Sequence, residues 1–190
     1  MTEKPFENLP PFDQLEFTRG RPVSGFVPGT VCVVYAVPYS CCNERLLTDC
    51  IAKLVPLHEK VVFIGMSDMP QRANLEKLIG HIITYKNSRG SAGIHLPPFC
   101  LDYLGRFQRW IAQRIEMEEL PLPHVVIFNA DAQILWHTHL QPGMQLMKTD
   151  FERHLQKALD DAHVYSLCRE RSFCFSRCRV CFLFVFERIQ

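Results

Sequence analysis

The chain has no long apolar run and no excess of charge of either sign. No window approaches the roughly 20 apolar residues that a membrane-spanning helix needs. Lys and Arg number 21 and Asp and Glu number 20, so the net charge is +1. This balance gives no electrostatic reason to expect nucleic acid or an acidic membrane as partner. The N-terminus also has neither the apolar core of a signal peptide nor the arginine-rich character of a transit peptide.

Cysteine is present, but its pattern is not that of a disulfide-bonded secreted domain. The nine cysteines are an odd number, and four of them lie in residues 168–190. Small secreted domains use evenly paired cysteines as a framework. We therefore expect a reducing compartment, in the cytoplasm or the mitochondria, and not secretion. The mitochondrial intermembrane space is the other option. The apolar fraction of 47% and the charged fraction of 22% are those of a globular protein.

Strand and helix patterns alternate along the chain. Near-continuous apolar runs at Val31–Val37 and 61–66 predict strands that are buried on both faces. Shorter strands are predicted at 15–17 and 83–85. Apolar residues at helical spacing predict helices over residues 43–55, 70–82, 99–120 and 148–163. The alternation predicts an α/β fold with a central mixed sheet flanked by helices.

Pro123 stands directly before another apolar strand pattern. Residues 125–128 predict a strand, the polar residues 129–131 predict a turn, and 134–136 predict the second strand of a hairpin. X-Pro bonds are the only peptide bonds that adopt the cis form at low cost. Pro123 is therefore a candidate cis-proline.

The order of these segments resembles the thioredoxin-like superfamily, in particular its bacterial-type thiol–disulfide oxidoreductases and its peroxiredoxin-related branch. The resemblance covers about residues 15–160 and implies a thioredoxin-like fold in which a cis-proline loop faces a redox site. The segments that carry the resemblance are 17–23, Pro28-Gly29, 31–36, Lys60-Val61-Val62-Phe63-Ile64-Gly65-Met66-Ser67-Asp68 and 122–139.

The chain departs from this family at the redox site itself. Where the family has Trp-Cys-x-x-Cys, the chain has Pro38-Tyr39-Ser40-Cys41-Cys42, so Tyr39 replaces the first cysteine and Cys42 matches the second. The family's first cysteine lies at a helix N-terminus, where its thiolate attacks disulfides. A phenol with a pKa of about 10 cannot replace that thiolate.

Several roles remain open for the neighbouring residues. Cys41 and Cys42 are either small residues at a helix start, or the site of a single reactive thiol at Cys42, or a vicinal redox pair. The vicinal disulfide is disfavoured because it distorts the peptide bond between its cysteines. The buried acidic residue of some family members has no clear counterpart, and Glu16 is the candidate.

Two groups of residues are weak candidates for metal binding. His137 and His139 share one face of their strand, and with His124 they could bind zinc, although ordinary hydrogen-bonded histidines are favoured. In the tail, a Cys-x-x-Cys pair can begin a zinc knuckle, and redox reactivity and apolar packing are the alternatives there. The tail candidates are Cys174, Cys178 and Cys181. We predict no metal and no cofactor.

These observations favour a binding function over catalysis. We divide the chain into an arm (1–14), a thioredoxin-like domain (15–163) and a Cys- and Phe-rich extension (164–190). The favoured function is a non-catalytic interaction or scaffold protein, a subunit of a larger assembly that binds a protein partner or peptide segment through the tail and a groove. The groove residues are Tyr39, Ser40, Leu122, Pro123 and His124. The alternative is a divergent thiol–disulfide oxidoreductase that uses Cys42 or tail cysteines.

Overall fold

The computed structural model describes most of the predicted domain. The residues described are 10–38, 60–68, 72–74, 76–77, 79–80, 97–141, 144, 146 and 149–174, with side chains up to residue 162. The predicted helix at 43–55 and strand at 83–85 lie outside these residues. So do the site residues Tyr39, Ser40, Cys41, Cys42, Cys178 and Cys181. Within the predicted helix at 70–82, the residues that the structure describes are 72–74, 76–77 and 79–80, and all of them are helical.

Six strands form one mixed sheet in the described part of the chain. The strands are β1 (Glu16–Arg19), β2 (Val31–Val37), β3 (Val61–Ser67), β4 (Phe99–Leu101), β5 (His124–Phe128) and β6 (Ile134–His139). Their order across the sheet is β1-β4-β3-β2-β5-β6. β2, β3 and β4 are parallel, β1 is antiparallel to β4, and β5 is antiparallel to both β2 and β6. The predicted mixed α/β sheet is confirmed.

The helical elements pack on both faces of this sheet. They are a 3-10 turn (Phe12–Gln14), α1 (Arg106–Arg114) and α2 (Phe151–Cys174). Alternate residues of β2 enter two separate apolar clusters. Val33 and Tyr35 belong to the α2-side cluster, which includes Phe151, whereas Val34 belongs to the α1-side cluster, which includes Phe107. β2 is therefore buried throughout, as its continuous apolar sequence predicts.

The helix predicted over 99–120 is wrong at both ends. Its first residues form β4, because Cys100 pairs with Met66 of β3 on one side and with Phe17 of β1 on the other. α1 is only nine residues long. It ends where Glu116 adopts a left-handed φ of 57° and the Met117 amide donates to the Ala112 carbonyl at 2.9 Å, a typical helix-terminating bond.

The closing helix differs from its predicted range, 148–163. α2 begins at Phe151, where Thr149 Oγ1 accepts the Phe151 amide at 3.2 Å, and it continues to Cys174. Phe151 and Leu155 are buried and Leu159 packs against the same cluster, as their spacing predicts. The domain boundaries given above remain predictions.

Candidate functional site

One edge of the sheet brings together the ends of several strands. β2, β3 and β4 are parallel, so their C-terminal ends lie at this edge, which is where open α/β sheets commonly bind ligands. β5 begins at the same edge, because Ala36 pairs with His124. The Leu122–Pro123 peptide bond, which is cis, therefore lies beside the C-terminal end of β2.

The main chain of the loop before β5 is only partly paired with the described residues. The Pro123 carbonyl accepts the Leu140 amide at 2.9 Å. In contrast, no residue within 10–38, 60–68 or 97–141 forms a hydrogen bond with the main-chain N–H or C=O of Leu122. The Leu122 side chain packs against the α1-side cluster. Among these residues, the donor and the acceptor of the Leu122 main chain are therefore without a partner.

His124 is buried next to this loop and belongs to a short hydrogen-bonded chain. Its Nδ1 lies 3.1 Å from the Pro121 carbonyl oxygen, and its Nε2 lies 3.2 Å from Nδ1 of His137. A carbonyl only accepts, so Nδ1 of His124 carries the proton and Nε2 accepts from His137. The pKa of His124 is lowered to about 4, mainly by burial; the hydrogen bond to Pro121 opposes this shift, and the neighbouring imidazoles of His137 and His139 add to it.

The three histidines of the hairpin lie together. His139 is directly opposite His124 in the ladder, and His137 is two residues away on the same face. The ring of His124 is 5.3 Å from the ring of His137 and 6.3 Å from the ring of His139, measured between centroids. Burial also lowers the pKa of His137. The prediction that His137 and His139 share a face is confirmed, and the register adds His124 to them.

The three imidazoles do not form a complete metal cage. Within the described residues, no group of three or more His, Cys, Asp or Glu side chains is arranged to hold a metal ion. Both ring nitrogens of His124 are occupied by hydrogen bonds. The zinc site considered for all three histidines is therefore corrected: His124 is not a ligand in this arrangement.

The two thiols that the structure describes are unsuited to exchange chemistry. Cys32 and Cys100 are free, buried cysteines. Burial raises the pKa of both thiols, and only the thiolate is the nucleophile. Cys100 also donates to the Gly65 carbonyl at 3.3 Å. These cysteines are core residues.

Glu16 does not lie beneath the site. It is on β1, which β4 and β3 separate from β2, and its carboxylate pairs with Arg72 at 3.2 Å. A different acidic residue, Asp102, is buried at the same sheet edge. Its two carboxylate oxygens accept the amides of Arg106 and Gln108, each at 2.9 Å. Sequence reasoning missed Asp102, although an Asp just before a helix is a capping signal.

Comparison with known proteins assigns the fold. No protein-family model matches the sequence, and no curated protein sequence matches it either. Among solved structures, an uncharacterized thioredoxin-like protein from Porphyromonas gingivalis matches with a TM-score of 0.51 and 14% identity. The match covers 77% of this chain and 89% of that one. The fold is thioredoxin-like. The resemblance that the sequence predicted is confirmed at this level.

Other structures with the thioredoxin-like fold match less closely. A secreted disulfide oxidoreductase from Mycobacterium tuberculosis, described as homologous to E. coli DsbE, matches at 12% identity over 68% of this chain and 82% of its own, with a TM-score of 0.45. StoA from Bacillus subtilis matches at 12% identity over 66% and 85%, with a TM-score of 0.44. No helix in the described part of the chain is long and apolar enough to cross a bilayer.

Proposed function

We propose that this chain is a non-catalytic thioredoxin-like interaction protein, a subunit of a larger assembly that holds an extended segment of a protein partner at the Leu122–His124 loop. The observation that carries the proposal is the main chain of Leu122. Its N–H and C=O have no partner among residues 10–38, 60–68 and 97–141, and they lie at the end of the sheet where open α/β sheets commonly bind ligands. An extended segment pairs with such groups as an added strand.

The chemistry of the described thiols supports binding over catalysis. Cys32 and Cys100 are buried and their pKa values are raised, so neither supplies a thiolate. In the sequence, Tyr39 stands where the resemblance expects the attacking cysteine. Strand addition uses main-chain hydrogen bonds and needs no thiol. A binding loop therefore keeps its use when the nucleophile is absent.

To test binding, peptides that bind the full-length protein are selected from a displayed library of random sequences. We expect the Leu122 amide, read by hydrogen exchange in NMR, to exchange fast in the free protein and to become protected when a selected peptide binds. The Val125 amide, inside the buried strand β5, should be protected in both states. Selected peptides that leave Leu122 exchange unchanged would overturn the proposed binding mode.

A pair of variants tests the location of the site. Leu122→Glu should weaken peptide binding at least about tenfold, because it places a charge beside the proposed main-chain contact. Val27→Glu is the matched control, since Val27 is 51% exposed and precedes β2 at the opposite end of the strand. Equal affinities in the two variants would place the binding surface elsewhere. Because Leu122→Glu can also disturb packing, the exchange measurement on the unmodified protein decides independently.

The non-catalytic character is tested by reduction of insulin disulfides with glutathione as electron donor. We expect the wild-type protein to give the rate of buffer alone, and Cys42→Ser to change nothing. Turnover that disappears in Cys42→Ser would instead establish the alternative, a divergent thiol–disulfide oxidoreductase.

A further inference from the structure

His137 and His139 present two imidazoles on the same face of β6. Residues two apart in a strand are separated by about 6.6 Å along the chain and point in the same direction. His137 is exposed and His139 is partly buried, so both rings are within reach of solvent. β6 is also the last strand of the described sheet.

One ring nitrogen of His137 forms a hydrogen bond with the imidazole of His124. Its Nδ1 lies 3.2 Å from Nε2 of His124, and the hydrogen bond from His124 to Pro121 determines which of the two imidazoles donates. Nδ1 of His137 must carry the proton, so the lone pair of His137 is on Nε2. Metal-binding histidines in proteins show this same arrangement, in which one ring nitrogen donates to a fixed acceptor and the other binds the ion.

We propose that His137 and His139 bind a divalent transition-metal ion, with Zn²⁺ the favoured ion, and that His124 orients His137. Imidazole nitrogens suit Zn²⁺, Cu²⁺ and Ni²⁺. Zn²⁺ binds them at about 2.0–2.1 Å and is four-coordinate, so two positions are left for water or for a donor atom of a bound partner. The site shares His124 with the proposed peptide-binding loop, but its ligands lie on β6 and the proposal does not require that a peptide binds.

The ring of His139 completes the pair by rotation of its side chain. No hydrogen bond to the His139 ring occurs among the described residues, whereas both ring nitrogens of His124 are hydrogen-bonded. Its ring is nearly parallel to that of His124, at an interplanar angle of 13°. The proposal requires a change in the side-chain torsions of His139 that brings one of its ring nitrogens towards Nε2 of His137, and both residues already lie on one face of β6.

Long-range ¹H–¹⁵N NMR of the histidine side chains in the full-length protein reports both the histidine tautomers and the binding of metal. Before metal is added, we expect both His124 and His137 to be protonated on Nδ1. Zn²⁺ is then added to an excess over all thiols, because cysteines elsewhere also bind zinc. The Nε2 resonance of His137 and one nitrogen of His139 should shift to values of metal-bound imidazole.

Matched variants identify the ligands and the positioning residue. His137→Gln and His139→Gln should each lower Zn²⁺ affinity at the imidazole site by at least about tenfold. His124→Gln should lower it about 10- to 100-fold, as loss of a supporting partner typically does, and should release the fixed tautomer of His137. His154→Gln is the control, since His154 lies on α2 and stacks on Trp136. It should leave the affinity unchanged.

The expected result is a shift confined to His137 and His139. Zn²⁺ that shifts neither histidine while thiols are saturated would overturn the proposal and leave the His124–His137 contact as a hydrogen bond alone. A Zn²⁺ response of His137 that survives in His139→Gln with unchanged affinity would also overturn it, because the pair would then not be the site.

Discussion

Asp102 and His124 are two buried polar groups at the same edge of the sheet, and their hydrogen bonds end in different places. Asp102 is 2% exposed and His124 is 1% exposed. Both carboxylate oxygens of Asp102 accept amides at the start of α1, so its network closes inside the protein. The network of His124 passes to His137, whose side chain is exposed. A closed network stabilises the fold, whereas one that reaches the surface can also respond to a ligand.

The two groups also titrate in opposite directions. Burial raises the pKa of Asp102, although the amides of Gln108, Arg106 and Phe107 oppose that shift. Burial lowers the pKa of His124 to about 4. Each shift favours the neutral form of its group. Acidification therefore lowers the free energy of unfolding through His124 and raises it through Asp102. The pH dependence of unfolding can thus distinguish the two groups.

The largest expected effect is the loss of stability on acidification that His124 causes. Its pKa falls from 6.5 in the unfolded chain to about 4 in the folded protein, so the unfolded state takes up the proton first as the pH falls. The contribution of His124 is fully present above pH 6.5 and is lost progressively down to about pH 4. At about 1.4 kcal/mol per pKa unit, the loss is at most roughly 3 kcal/mol.

This prediction is measured by urea unfolding between pH 7 and pH 4 with a chelator present. His124→Gln does not titrate in this range, and its curve should be flatter than that of the wild type. His154→Gln, which changes a histidine on α2, should keep the wild-type slope. Parallel curves for His124→Gln and the wild type would show that His124 titrates normally in the folded protein.

Removal of the Asp102 carboxylate should be the next largest effect. Asp102→Ala leaves the amides of Arg106 and Gln108 without the acceptors that they have in the fold. Loss of a capping side chain of this kind costs about 2 kcal/mol. The measurement is urea unfolding at pH 7, with Asp131→Ala, at an exposed turn position, as the control. If both variants lose the same small amount, α1 does not depend on Asp102.

The central strands β2, β3 and β5 could be predicted from sequence because their apolar runs are continuous. Val31–Val37 was predicted with the bounds that the structure has, since burial on both faces removes the ambiguity of a mixed pattern. The short strand Phe99–Leu101 was assigned instead to a helix. Its three residues satisfy a helical pattern equally well, and only their pairing with β3 and β1 decides.

The site was less predictable, because its contacts join residues from different strands. Alternation placed His137 and His139 on one face, but only the register of the hairpin brings His124 opposite His139. No sequence pattern indicates the hydrogen bond between His124 and the Pro121 carbonyl. The predicted thiols Cys41 and Cys42 lie outside the described residues, and their role stays a prediction.

Tyr35 is a third buried polar group, whose hydroxyl has no hydrogen-bond partner within the described residues, and it carries the smallest expected effect. Its side chain is completely buried, its ring packs edge-on against Phe99 at 5.5 Å, and its hydroxyl has no hydrogen-bond partner in the described part of the chain. A Cβ added at Gly65 would lie 2.6 Å from that hydroxyl, so the space around it is tight.

Replacing Tyr35 by Phe should therefore stabilise the protein, whereas acidification and the Asp102→Ala substitution should destabilise it. A buried hydroxyl without a partner costs about 1 kcal/mol or more, and Phe removes that cost while it keeps the ring. The gain is measured by urea unfolding against Tyr103→Phe, an exposed position where the change should lie within about 0.5 kcal/mol. A loss of stability in Tyr35→Phe would mean that the hydroxyl is hydrogen-bonded in solution. Tyr35 would then belong with Asp102, as a group whose partners lie inside the protein.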